Sequence, residues 1–301
     1  MSSGSSIAFN GCIENDVPQV REGLQIASAE NERQAEYNRI QARTLNTAIG
    51  SGSFDVVEDL LKKGDIPISV VEPSAVAQPR STKIIQLLLD HGWDINSQEP
   101  SQNSFSGAGN RLLHYICDSE ELTRWALSKG AVARDPHPNR AIYPPLMEEV
   151  ARSGIVDVFR ILHVREGAII TPRVLHCAVE GACRAIPAQR GRRIKMMCYL
   201  ASNLKFNVNE LDSGSREFGP GYGTPLCYAV SSGGSFEVVH EVICYLLAQT
   251  ADPFMPNRWG VNAVSLAKSK EPQLYELFQN LTSHVEDKEK CLRCKVLKEY
   301  K

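Results

Sequence analysis

Apolar residues recur along this chain at helical spacing, in short blocks separated by polar or glycine-bearing breaks. Phe54, Val57, Leu60 and Leu61 form one block; Phe236, Val239, Val242, Ile243 and Leu246 form another. The blocks come in pairs. The second member of a pair closes on a leucine-rich turn and a glycine, as in Leu60-Leu61-Lys62-Lys63-Gly64 and Leu87-Leu88-Leu89-Asp90-His91-Gly92. The same ending returns at 125–130 and 161–167, and at 200–203 and 246–253 with the glycine replaced. The first member is seen in Leu45-Asn46-Thr47-Ala48, Leu113-His114-Tyr115-Ile116, Pro145-Leu146-Met147-Glu148, Leu175-His176-Cys177-Ala178 and Gly223-Thr224-Pro225-Leu226-Cys227-Tyr228-Ala229. It closes the series at Ala263-Val264-Ser265-Leu266-Ala267.

Each choice has a physical reason. Proline in the first helical turn costs nothing, because its missing N–H would be unpaired there anyway. Glycine after the second helix supplies the left-handed residue that ends it. Small alanines let adjacent first helices approach closely. No single pair can bury its apolar face alone, so stacking of neighbours must supply the core.

The end-of-pair glycines Gly64, Gly92, Gly130 and Gly167 are spaced 28, 38 and 37 residues apart. With the Gly-Thr-Pro-Leu refrain at 223–226, this resembles a divergent ankyrin-repeat protein of the filamentous-fungal type, whose period is roughly 33 residues. The resemblance implies an all-α solenoid of about seven to eight helix–turn–helix units with short hairpin fingers. It covers 6–282, leaving a flexible N-terminus at 1–5 and a charged tail at 283–301. Pro73 and Pro79 flank the first helix of the unit at 70–96, which should be short or irregular. His114 and His176 take the place where such units use histidine to hydrogen-bond the turn, and Cys227 replaces it in another. Trp93 is expected to fill space left by the irregular unit before it.

Composition adds little beyond exclusions. A formal net charge of -2 gives no global basic field to draw nucleic acid or an acidic membrane. The start Met1-Ser2-Ser3-Gly4-Ser5-Ser6 lacks a cationic, apolar leader, and no apolar run is long enough to span a bilayer. A cytoplasmic or nuclear chain is expected, and most of its nine cysteines fall at apolar helical positions as buried thiols.

The resemblance implies work by presentation: ankyrin arrays bind macromolecules through fingers and the concave helical face. The clearest finger is Pro256-Asn257-Arg258-Trp259-Gly260, where Asn257, Arg258 and Trp259 are the candidate partner-binding residues. Arginine beside tryptophan is a composition favoured at binding hot spots. The competing reading folds Trp259 back as a cap on the last unit. The longest fingers, 97–110 and 210–223, are of the length that is either functional or disordered. In the second, Arg216, Phe218 and Tyr222 are candidates. Arg190, Arg192, Arg193 and Lys195 form a basic patch, read as an insertion between the two helices of one unit: an anchor for an acidic partner, or a solvated face. Cys291 and Cys294 have the spacing of metal ligands, but no second pair follows and no metal site is assigned. No Gly-x-Ser-x-Gly elbow, phosphate loop or His-Glu-x-x-His pair occurs. The expected function is a non-enzymatic protein-interaction scaffold or adaptor, without cofactor, for an unidentified protein partner. The alternative is an accessory or regulatory protein of a fungal biosynthetic pathway, binding a small ligand or metal.

Overall fold

The computed structural model describes residues 3–30, 34–99, 109–134, 145–212 and 223–283. These residues are helical, with no strand among them, and they divide into two compact units at Pro144/Pro145. The first unit holds α1 (Ser3–Glu14), α2 (Val17–Glu30), α3 (Gln34–Ser51), α4 (Phe54–Lys63), α5 (Pro73–Ala77), α6 (Thr82–Asp90), α7 (Leu112–Ile116) and α8 (Glu120–Ser128). The second holds α9 (Leu146–Ser153), α10 (Val156–Arg160), α11 (Val174–Cys183), α12 (Pro187–Cys198), α13 (Pro225–Ser231), α14 (Phe236–Ala248), α15 (Ala263–Lys270) and α16 (Pro272–Ser283). α10 and α12 each run on into a π-helical turn, Ile161–Arg165 and Tyr199–Asn203.

Within each unit the odd-numbered helices stack on one another: α1 on α3, α3 on α5 and α5 on α7, then α9 on α11, α11 on α13 and α13 on α15. This is the expected all-α array of helix–turn–helix pairs, with eight pairs among the described residues. α5 is a five-residue helix behind a 3₁₀ turn at Ile68–Val70, as Pro73 and Pro79 require. Trp93 is buried against that irregular entry, its indole N–H donating to the Val71 carbonyl at 3.4 Å.

Local chemistry sets the helix ends. Ser119, Thr224 and Asn262 accept the backbone N–H three residues on, at 3.4, 3.4 and 2.9 Å. Left-handed residues end first helices at Asn15, Gly52, Arg80, Gly154 and Gly233, and follow second helices at Gly64, Gly92, Gly130, Gly167, Lys205 and Thr250. The stack begins earlier than the boundary at residue 6. Ser3, Gly4 and Ser5 are already part of α1, and Gly4 and Ser5 are buried. The reason is a seam of small residues, with Gly4 and Ala8 of α1 set against Gly23 and Ala27 of α2.

Candidate interaction surface

The finger bases are held by asparagine and aspartate side chains. Asp94, Asn207 and Asp252 each accept the backbone N–H two residues on, at 2.8, 2.9 and 2.8 Å. This closes an Asx turn two residues after the left-handed position. In two fingers the residue after that turn reaches the next finger. Asn96 donates to the Gly130 carbonyl at 3.0 Å and accepts from the Val132 N–H at 2.8 Å. Asn209 does the same with Thr250 and Asp252, at 3.1 and 2.7 Å. One amide thus pairs a donor and an acceptor of the following base, so successive fingers are tied to one another as well as to their own helices. Asp94-Ile95-Asn96 and Asn207-Val208-Asn209 share an Asx-x-Asn signature that could have revealed this bridge. In the last described finger Phe254 stands where the bridging asparagine would be.

That finger turns tightly. The Asn257 side chain accepts from the backbone of Trp259 and of Val261, both at 3.0 Å, and the Asn257 N–H donates to the Val261 carbonyl at 2.8 Å. Gly260 takes the left-handed conformation that the tip needs. Asn257 therefore shapes the turn, while Arg258 and Trp259 project from it. The Arg258 guanidinium lies over the Trp259 ring at 4.1 Å, and the tryptophan is 50% exposed. The cap reading of Trp259 does not fit that exposure. Phe254, 54% exposed, belongs to the same finger; Ile169 and Leu211, 61% and 38% exposed, stand on the two fingers before it. The second unit thus carries exposed apolar side chains on three successive fingers.

Two long fingers are closed at the neck by the same backbone bond, each beside a differently placed carboxylate. In the second unit, Asp212 accepts from the Gly223 N–H at 3.0 Å and from the Tyr228 hydroxyl, while Asp212 N–H returns to the Gly223 carbonyl at 3.0 Å. His176 Nε2 lies 3.0 Å from the Glu210 carbonyl and 3.1 Å from that of Gly223, so this nitrogen carries the proton. Burial holds the His176 pKa below its ordinary value. In the first unit, Glu99 N–H donates to the Asn110 carbonyl at 2.9 Å, and the Glu99 carboxylate takes the backbone N–H and hydroxyl of Ser74. Tyr115 corresponds to Tyr228, its pKa raised by burial and then by Glu99. Residues 100–108 and 213–222 beyond these necks lie outside the described residues, and with them Arg216, Phe218 and Tyr222.

The basic patch is not an insertion. Pro187 starts α12, and Arg190, Arg192, Arg193 and Lys195 lie within that helix, whose buried positions are Ile194, Met196 and Met197. Arg190 is paired with Glu241 of α14, and Arg193 donates to the Gly181 carbonyl at 3.0 Å. Half of the patch is therefore spent on packing α12 against its neighbours. Cys291 and Cys294 lie outside the described residues, among which no group of three or more metal-ligating side chains occurs. No described helix is long and apolar enough to cross a membrane.

Sequence reasoning missed a buried polar network beneath the helical face of the second unit. Glu148 occupies the register of His176 and accepts from Thr171 at 2.7 Å, with Arg173 at 3.8 Å. The Cys177 thiol stands 3.5 Å from both Glu148 and Arg152, and Arg152 continues to Glu149 and Glu180. A thiol beside arginine could suggest a nucleophile. Burial dominates, however, pushing the Cys177 pKa far up, and the nearby Glu148 charge pushes it the same way. Cys12 and Cys183 are likewise held up, to about 12, and Cys198 to about 11. Cys12, Cys177 and Cys183 are core residues and Cys198 is half-buried; all four are held protonated.

No family model matches the chain, and no curated protein does. Among solved structures it is similar to the human ASB11 ankyrin repeat domain, at 18% identity and a TM-score of 0.44, over 90% of this chain and 96% of that one. It is also similar to the ankyrin repeat domain of Bcl-3 (15%, TM-score 0.38, 91% and 97% covered) and to EF0377, an ankyrin repeat protein (14%, 0.30, 91% and 96%). At that distance they say nothing of which residues here bind.

Proposed function

We propose that this chain is a non-enzymatic protein-interaction scaffold whose second unit meets its partner along the finger edge. The observation that carries this reading is the last described finger. There an exposed tryptophan is stacked by arginine on a turn already locked by Asn257. Rigid aromatic anchors give up little conformational entropy on binding, which is where affinity is gained or lost. Phe254, Leu211 and Ile169 extend the same edge with apolar surface that no described element covers. A cytoplasmic or nuclear location goes with this reading, since thiols buried as core residues suit a reducing compartment.

Affinity capture from native lysate tests it. The intact protein is expected to retain a protein that the Phe254→Ala/Trp259→Ala form loses by at least about tenfold, roughly 1.4 kcal/mol. Both forms should melt together, because exposed finger residues contribute little to the core. Retention that ignores both substitutions, or capture of nothing by either form, would sink the finger-edge reading.

A further inference from the structure

Packing accounts for only half of the basic stretch at 190–195. Arg190 and Arg193 are held by Glu241 and by the Gly181 carbonyl. Arg192 and Lys195 have no carboxylate partner among the described residues, and the Arg192 Nε is buried without a hydrogen bond. Spacings of three and four residues put Arg192, Lys195 and Tyr199 on one stripe of α12 and its extension, while Ile194 and Met197 are buried. At the rise of a helix that stripe is about 10 Å long.

α10 closes the stripe from the side. Its last residue, Arg160, lies with its guanidinium over the Tyr199 ring, 4.9 Å from the centroid. Tyr199 is propped edge-on by the buried Phe159 ring, with centroids 6.1 Å apart. Both helices change from α to π at this level, at Ile161 and at Tyr199, and such widened turns are frequent at functional sites. Stacking engages the face of the Arg160 guanidinium and leaves the N–H donors at its edge open. The acid that reaches it is Asp157, one turn back at 3.9 Å, with both side chains more than half exposed. That separation is too long for a hydrogen bond, and an exposed pair of this kind is weak.

Three cations thus face one loosely held carboxylate, an excess of two positive charges. A carboxylate ligand would neutralise one of them. A phosphomonoester carries about −1.5 to −2 near neutral pH, and its three acceptor oxygens suit guanidinium forks and an ammonium together. We propose that Arg160, Arg192 and Lys195 form a binding site for a phosphomonoester group on the outer side of α10 and α12, with Tyr199 holding Arg160 in position. No finger residue takes part. The phosphoryl group arrives either on a soluble molecule or as the headgroup of a lipid; the chemistry recognised is the same.

The test titrates the full chain with glycerol 3-phosphate by calorimetry at low ionic strength, beside acetate and glycerol. Flotation with phosphatidylcholine vesicles, with and without phosphatidic acid, presents the same headgroup on a surface. In whichever arm binds, the phosphomonoester is expected to be held at least about tenfold more tightly than acetate or plain vesicles. Arg160→Gln, Arg192→Gln and Lys195→Gln should each weaken it at least about fivefold. Lys195 is exposed, so its variant keeps the test open even where Arg192→Gln fails to fold. Lys62→Gln makes the same change of net charge in the first unit and should bind as the parent does. The Phe254→Ala/Trp259→Ala form should too, which separates this site from the finger edge. Binding of glycerol 3-phosphate without enrichment on phosphatidic acid supports a site for a soluble ester. Lysine-dependent flotation without binding of the soluble ester supports one for a lipid headgroup. Binding in neither arm, or equal affinity for acetate and the ester, would overturn the proposal. Variants at Arg160 and Lys195 that bind like the parent would do so as well, and an equal loss in Lys62→Gln would reduce the effect to general electrostatics.

Discussion

Thr250 holds a left-handed backbone, φ 68°, at the position where four other second helices are followed by glycine. A β-branched residue there is strained by roughly 1–2 kcal/mol, whereas glycine adopts the conformation without a steric penalty but loses more entropy on folding. Thr250→Gly is therefore expected to raise stability by about 1 kcal/mol in a denaturant melt; a loss would mean that the Thr250 carbonyl, held by Asn209, depends on the threonine. His176 gives a prediction in pH. Its folded pKa lies below the ordinary 6.5, so below that pH the unfolded chain binds a proton that the folded chain refuses. Burial, with Arg173 pushing the same way, outweighs the upward pull of Asp212 and of the Glu210 and Gly223 carbonyls. Stability should be level above pH 6.5 as far as this residue is concerned, and should fall as the pH drops below it. His176→Gln should flatten that slope, as measured by urea melts at a series of pH values. The role of His176 was legible in the sequence from its place in the refrain. That of Glu148, in the same register, was not: a glutamate on a helix reads as solvated until Thr171 and Arg173 are seen to reach it.

At the scale of single helices, two glycines separate close packing from mere permissiveness. A Cβ on Gly23 would lie 2.3 Å from the Ala8 nitrogen, so α1 and α2 would have to part. A Cβ on Gly191, within α12, would meet nothing within 4 Å. Alanine gains up to about 1 kcal/mol over glycine inside a helix. At Gly23 the overlap with backbone, costing about 1–3 kcal/mol, exceeds that gain. Gly23→Ala should thus lower the thermal midpoint, and Gly191→Ala should raise it; the same sign for both would refute the seam. The helix pairs were readable because their apolar period is strong, and α5 was readable as short from its two prolines. α12 was misplaced because Arg190-Gly191-Arg192-Arg193 interrupts the apolar pattern just where the helix begins. Its buried side begins only at Ile194, and arginines that pair with Glu241 and with the Gly181 carbonyl look, in sequence alone, like a solvated insertion.

The division into two units has its own consequence for the whole chain. A repeat array needs at least about three stacked pairs before its interfaces offset the ordering of its backbone. The second unit has four, and its buried and half-buried charges are matched within it: Arg152 meets Glu149 and Glu180, Arg173 meets Glu148, and Arg190 meets Glu241. Among the described residues each of these charges has its partner inside the unit, which is what a unit able to fold by itself requires. Residues 145–301 produced alone are therefore expected to be helical by circular dichroism and to melt in one cooperative transition. They should also keep whatever the Phe254 and Trp259 finger retains in the intact chain. A fragment that is helical but melts without cooperativity would show that the four pairs rely on the first unit for their core.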